Sequence, residues 1–128
     1  MVNLVSVKRR NDFKKAYSKG KSFLSKNLVI YASRNFKKGL RVGITTSKKI
    51  GNAPQRNRAR RIIRESTRSV LEKFSGNFDI IIVARKSIID MKSTELDPII
   101  EKGLSELILK KSNKGNKDEK GKFDNKVN

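Results

Sequence analysis

The 128-residue sequence contains no cysteine and no histidine, and only 12 of its residues are acidic. Without cysteine there is no disulfide framework, no thiolate zinc site and no cysteine nucleophile. Without histidine the Ser-His-Asp triad and imidazole metal ligands are excluded. The carboxylates are scattered. Glu65 and Glu72 stand in a long helical segment, Asp79 and Asp90 are isolated, and Asp118, Glu119 and Asp124 fall near the end. No pair sits in an apolar setting suited to acid–base work, and no cluster resembles an oxygen-ligand metal cage. The glycine-rich phosphate loop, GxxxxGK followed by Ser or Thr, is absent. No apolar run approaches the roughly 18–20 residues of a membrane span. Met1 to Val7 is too short and too polar for the apolar region of a signal peptide. The lack of cysteine fits the reducing cytosol, so a cytoplasmic protein without a membrane partner is expected. Composition describes a binding protein rather than a self-sufficient enzyme.

What the chain has in excess is positive charge. Lys and Arg number 32, giving a net charge of +20, whereas a small domain usually carries a magnitude of about 2–8. Such a charge repels itself in the folded state and calls for a polyanionic partner, most often nucleic acid and less often an anionic membrane. The length is that of one domain. Hydrophobic residues make up 35% of the chain, and they are clustered as a core requires.

Periodicity places the elements. Residues 1 to about 10 read as an irregular basic arm. Asn11 as N-cap, Asp12 in the first turn and Phe13, Ala16 and Tyr17 on one face predict a short helix over 11–19, closed by Gly20. Strands are predicted at 27–34, 40–46 and 78–85, with a shorter one near 21–25. In the first of these, Leu28, Ile30 and Ala32 alternate with Val29, Tyr31 and Ser33. A turn at Lys37-Lys38-Gly39 follows. The run at 78–85 is apolar and β-branched, as in a central strand buried on both faces. A long helix is expected from 53 to about 74, capped by Asn52 with Pro54 in its first turn. Its apolar stripe is Ala59, Ile62, Ile63, Ser66, Val70 and Phe74. A last helix is expected over 95–110, with Thr94 as cap, Pro98 early in it, and a stripe of Leu96, Ile99, Ile100, Leu104 and Leu107. Residues 111–128 are basic and too poor in apolar side chains to order themselves. The division is a domain over 1–110 and a disordered basic tail over 111–128, with the domain a single α+β sandwich.

Two features point to RNA. Between Ser47 and Arg68 stand Lys48, Lys49, Arg56, Arg58, Arg60, Arg61, Arg64 and Arg68, against Glu65 alone. At about 100° per residue, Arg60, Arg61, Arg64 and Arg68 gather opposite the apolar stripe, and Arg56 and Arg58 flank it. An ordinary solvated face mixes signs to form i,i+4 pairs. This one does not, and Arg is the side chain that forks onto phosphates and stacks on bases. The second feature is Phe13, Tyr17 and Tyr31 with Lys14, Lys15 and Lys21 near in sequence. An aromatic pair at i, i+4 serves a core as well as a cleft, and both readings stand. A shallow aromatic cleft edged by cations would favour single-stranded RNA.

The run Ser47-Lys48-Lys49-Ile50-Gly51-Asn52-Ala53, then Arg56-Asn57-Arg58, Arg60-Arg61 and Arg64-Glu65, strongly resembles the signature of the bacterial ribonuclease P protein family. The early Asn-Asp-Phe helix with Tyr17, the Leu40–Gly43 strand and the Ile81–Lys86 strand are similar in the same order, so the resemblance covers about residues 5–110. Pro54 and Gln55 stand where the family often has apolar residues, and Ala59 replaces a larger apolar side chain. The resemblance implies an αβββαβα two-layer sandwich with a left-handed βαβ crossover, against the usual hand, similar to the second domain of a small-subunit ribosomal protein. It implies that Arg56, Asn57, Arg58, Arg60, Arg61, Arg64 and Arg68 meet the catalytic RNA of the enzyme. It further implies that Phe13, Tyr17, Tyr31, Lys48, Lys49 and Arg85 line the path of the precursor tRNA 5′ leader. The partners implied are that RNA and precursor tRNA, with no DNA. The chemistry implied is endonucleolytic cleavage by the RNA subunit with Mg²⁺ held mainly by the RNA, so the protein carries no catalytic and no metal-ligating residue.

Two readings of other classes compete. A basic ribosomal or RNA-chaperone protein explains the charge and the arginine helix, but not the signature together with the Leu40–Gly43 and Ile81–Lys86 strands. A basic DNA-binding protein finds no support in helix-turn-helix spacing or a heptad zipper.

Overall fold

The computed structural model describes residues 5–6 and 10–108. The expected basic tail, 111–128, lies outside them. Eight elements follow one another: β1 (Val5–Ser6), α1 (Arg10–Lys19), β2 (Lys21–Leu24), β3 (Leu28–Arg34), β4 (Leu40–Thr45), α2 (Ala53–Leu71), β5 (Phe78–Ala84) and α3 (Ser93–Leu107). Short 3-10 turns at Lys48–Ile50 and Lys86–Asp90 precede α2 and α3.

The strands form one mixed sheet in the order β1-β4-β5-β3-β2. The apolar run at β5 takes the centre, because only a strand buried on both faces profits from Ile80, Ile81 and Ile82 in succession. It pairs antiparallel with β3, Leu28 opposite Ala84 and Arg34 opposite Phe78. It pairs parallel with β4, Leu40 opposite Phe78 and Thr45 opposite Val83. The parallel pair is joined through α2, a βαβ crossover. The α+β architecture expected from the sequence is therefore present, with one addition. Val5 and Ser6, expected in an irregular arm, pair in parallel with Arg41 and Val42. Two residues are too few to leave a periodic signature.

Side-chain alternation divides the sheet into two faces. Leu28, Ile30, Val42, Ile80 and Ile82 face α2 and α3, where Ile63, Val70, Leu96, Ile100 and Leu104 complete the main core. Ile81, with Tyr31 and Val83, faces the other way and meets Ala16 and Phe13 of α1.

Helix ends show what the pattern reading placed and what it missed. Asn52 caps α2 as expected. Its side-chain oxygen accepts from Gln55 N–H at 3.0 Å, and Gln55 Oε1 accepts from Asn52 N–H at 2.9 Å. Gln55, a departure from the family pattern, is thus half of a capping box. Gly51 before it has φ 144°, and a Cβ there would collide with Gln55 Oε1. The helix stops at Leu71 rather than 74, and Phe74 is buried from the turn beyond. The first helix starts at Arg10, so Asn11 lies inside it and is not its cap. The last helix starts at Ser93, so Thr94 lies in its first turn. Glu95 Oε1 accepts the Lys92 N–H at 2.9 Å and closes that end in place of a Thr94 cap. The same helix ends at Leu107 rather than 110.

Candidate nucleic-acid interface

Two surfaces carry the residues singled out by the sequence. One is the solvent side of α2. Burying Ala59, Ile62, Ile63, Ser66, Thr67, Val70 and Leu71 turns Asn57, Arg61 and Arg64 fully outward, with Arg68 half-buried one turn further along the same row. The other arginines are tied to the fold. Arg58 donates from Nη1 to the Ile89 carbonyl at 2.7 Å and from Nη2 to the Met91 carbonyl at 2.9 Å. Arg56 Nη1 donates to the Gly51 carbonyl at 2.7 Å. Arg60 donates to Thr46 Oγ1 at 2.6 Å and to Asn57 Oδ1 at 3.1 Å. The seven residues thus divide into an outward row and a set that braces α2 against the segments around it.

The second surface is the sheet face under α1. Phe13 lies half-buried over Gly43 and Ile81. Tyr17, 43% exposed, meets the Tyr31 ring edge-on, centroids 4.9 Å apart. Burial pushes the Tyr17 phenol above its ordinary value, with the Tyr31 side chain adding to the rise and a side-chain hydrogen bond to Thr45 opposing it. Phe13, Tyr17 and Tyr31 therefore share one surface, and it is neither wholly core nor wholly open. Phe13 packs, while Tyr17 keeps a free face. Thr45 and Val83 belong to the same surface, opposite one another across β4 and β5. The sequence reading passed over both. The period of two carries this face from Ile81 to Val83 along β5, and from Gly43 to Thr45 along β4.

The chain direction supplies a basic rim. The parallel strands β4 and β5 both end at this end of the sheet, where β3 begins. Lys48 and Lys49, exposed on their 3-10 turn, follow β4, and Arg85 follows β5. Arg85 Nη1 donates to the Ser25 carbonyl at 3.2 Å, and its backbone N–H donates to the Asn27 carbonyl at 2.9 Å. An aromatic floor edged by exposed cations suits an unpaired strand, whose bases stack while its phosphates meet charge. Among the described residues no helix is long and apolar enough to cross a membrane, and no three acidic side chains gather in a way that would hold a metal ion.

Comparison with known proteins points to a single family. The sequence profile described as Ribonuclease P matches residues 1–108. The ribonuclease P protein component of Clostridioides difficile (strain 630) is 44% identical over 96 residues, covering 74% of this chain and 84% of that protein. That of Staphylococcus haemolyticus (strain JCSC1435) is 38% identical over 95 residues, covering 74% and 82%. Among solved structures, the Staphylococcus aureus RNase P protein superimposes with a TM-score of 0.70 at 33% identity, covering 80% of this chain and 94% of that one. The Thermotoga maritima RNase P protein does so with a TM-score of 0.67 at 25% identity and the same coverage.

Proposed function

The chain belongs to the ribonuclease P protein family, and from that premise we propose that it is the subunit that binds the catalytic RNA and the 5′ leader of precursor tRNA. The observation that carries this reading is the separation of two differently built surfaces on one rigid domain. The outward row of α2 offers point charges and planar forks for the phosphates of a folded RNA. The aromatic face under α1 offers stacking to an unpaired strand. In this reading Asn57, Arg61, Arg64 and Arg68 touch the catalytic RNA, and Arg56, Arg58 and Arg60 hold the helix in place beneath them. Phe13, Tyr17 and Tyr31 floor the leader path, and Lys48, Lys49 and Arg85 take its phosphates.

The contribution to cleavage is positional and electrostatic. Binding both RNAs screens their mutual repulsion and holds the leader extended, so that the scissile bond reaches the RNA's active centre in reacting geometry. The chemistry of cleavage would come from Mg²⁺ held mainly by the RNA, which would supply an activated water for hydrolysis to the mature 5′ end. The site of action proposed is the cytoplasm, where precursor tRNA is processed, with neither DNA nor membrane as partner.

Reconstitution tests the reading. The protein is added to the catalytic RNA of the same organism and a precursor tRNA with a 5′ leader, at a Mg²⁺ concentration where the RNA alone is slow. A large rise in the rate of leader release, with cleavage at the mature 5′ end, is expected. Tight, salt-sensitive RNA binding without stimulation would favour a basic ribosomal or RNA-chaperone protein instead.

A further inference from the structure

The loop between β3 and β4, which passes over the start of β5, has no role in either surface, yet its turn is heavily hydrogen-bonded. Phe36 at its tip is 78% exposed. A single exposed apolar side chain is ordinary. What is not ordinary is that this one sits on a locked turn. The Asn35 side chain donates to the Gly39 carbonyl at 2.9 Å and to Asp79 Oδ1 at 2.8 Å, and accepts from the Lys38 N–H at 3.0 Å. The Gly39 N–H donates to Asn77 Oδ1 at 2.9 Å. Lys37 is held at φ 52°, a left-handed conformation that glycine would adopt without steric cost. Lys37 Nζ stands 5.4 Å from the centre of the Phe36 ring. Lys38 is exposed beside it, and Arg34 stands at the base of the turn with its guanidinium 5.6 Å from the Phe78 ring centre. The carboxylate bonded to the turn, Asp79, is buried and held by Arg41.

We propose that the tip of this β3–β4 loop is a second RNA-binding site, in which the Phe36 ring stacks on an unpaired base of the catalytic RNA while Lys37 and Lys38 meet the adjoining phosphates. The inference rests on the reading of the chain as a ribonuclease P subunit. A rigid, cation-flanked, solvent-facing ring is the chemistry of base stacking with phosphate pairing. The choice of RNA follows from position. The turn is bonded to Asn77, in the segment that joins α2 to β5, and so it stands at the end of the sheet where α2 finishes. The basic rim of the aromatic face lies at the opposite end of β3, about 20 Å away along a strand of this length.

The sequence has no tryptophan, so Phe36→Trp places a single reporter at the tip. The full-length variant is titrated with the catalytic RNA alone, and separately with precursor tRNA alone. Phe36→Ala and Phe36→Leu are measured for RNA affinity and thermal midpoint. The expected result is stoichiometric quenching by the catalytic RNA and about tenfold weaker binding by Phe36→Ala. Phe36→Leu should not restore affinity, and neither variant should shift the midpoint. Catalytic-RNA affinity unchanged in Phe36→Ala overturns the proposal, whether or not the reporter is quenched. Quenching by precursor tRNA alone overturns the choice of RNA. A reporter that stays bright on saturated catalytic RNA also overturns it and leaves the tip to a protein partner. If the unaltered protein fails to bind the catalytic RNA, the parent reading fails and this site with it.

Discussion

Gly43 lies directly beneath the Phe13 ring: a Cβ at that position would stand 2.7 Å from Phe13 Cζ and 3.0 Å from Ile81 Cδ1. The first is shorter than carbon atoms tolerate, and the second would require the Ile81 side chain to yield by a few tenths of an ångström. Glycine on β4 is therefore what lets α1 settle on the sheet with Phe13 inward and Tyr17 at the edge. Gly43→Ala is expected to lift the ring and cost about 1–3 kcal/mol of stability, as overpacking does. Leader binding should weaken with it, while affinity for the catalytic RNA, which the opposite side of the molecule is proposed to meet, should not change. Urea unfolding together with separate titrations of the two RNAs checks this. Unaltered stability would mean that the ring has room to move.

Arg58 and Arg61 stand in one helix and separate by a different measurement. Arg58 donates to two carbonyls, those of Ile89 and Met91, from a half-buried position. Arg61 is exposed. A hydrogen bond to a charged group contributes about 1.5–3 kcal/mol. Arg58→Ala is therefore expected to destabilise the domain by about 2–4 kcal/mol and to release the 3-10 turn before α3. Arg61→Ala should leave the midpoint of unfolding where it is. Chemical denaturation of the two variants side by side decides the matter, and equal midpoints would contradict the bracing role.

Much of this was legible in the sequence. The alternation of Leu28, Ile30 and Ala32 against Val29, Tyr31 and Ser33 gave the two faces of β3, and the β-branched run placed β5 at the centre. Asn52 and Pro54 located the start of α2 because capping is local chemistry. The wheel of α2 also put Arg61 and Arg64 outward. It could not show that Arg56, Arg58 and Arg60 bend back to carbonyls and to Thr46, because a long side chain chooses its partner from tertiary neighbours. Thr94 was misread as a cap because Glu95, one residue on, closes the helix from inside. Val5 and Ser6 escaped because two residues have no period. The Asp79 carboxylate looked isolated because Arg41 and Asn35 reach it from 38 and 44 positions away.

The outward row on α2 makes an electrostatic prediction. Each phosphate neutralised by a cation releases counterions, so the logarithm of affinity falls with the logarithm of salt in proportion to the contacts made. Arg61→Ala and Arg64→Ala should each reduce the slope for the catalytic RNA by about one unit and weaken binding across RNA sequences alike. Substitution of Glu72, on the far part of the same segment, provides a comparison in which the slope should not fall. Titrations at four or more salt concentrations give the slopes. Slopes unchanged in both arginine variants would remove this face from the RNA interface.

The Arg41–Asp79 pair predicts how the fold responds to acid. Arg41 Nε and Nη2 each donate to the Asp79 carboxylate at 2.7 Å, and Asn35 adds a third donor. Burial alone would raise the Asp79 carboxyl. The hydrogen bonds from Arg41 and Asn35 outweigh it, helped by the charges of Arg41 and Lys38, and hold it below its ordinary 3.8. A carboxyl lowered by folding stabilises the native state fully above the unfolded value and loses that contribution as pH falls through the folded one. Asp79→Asn removes the charge opposite a mostly buried guanidinium and is expected to cost about 3 kcal/mol at neutral pH. The gap between the unaltered protein and the variant should stay constant down to about pH 5 and shrink below 3.8. Unfolding midpoints of both proteins from neutral pH to pH 3 measure that gap. A gap that widened on acidification would mean that burial, not Arg41, governs this carboxyl.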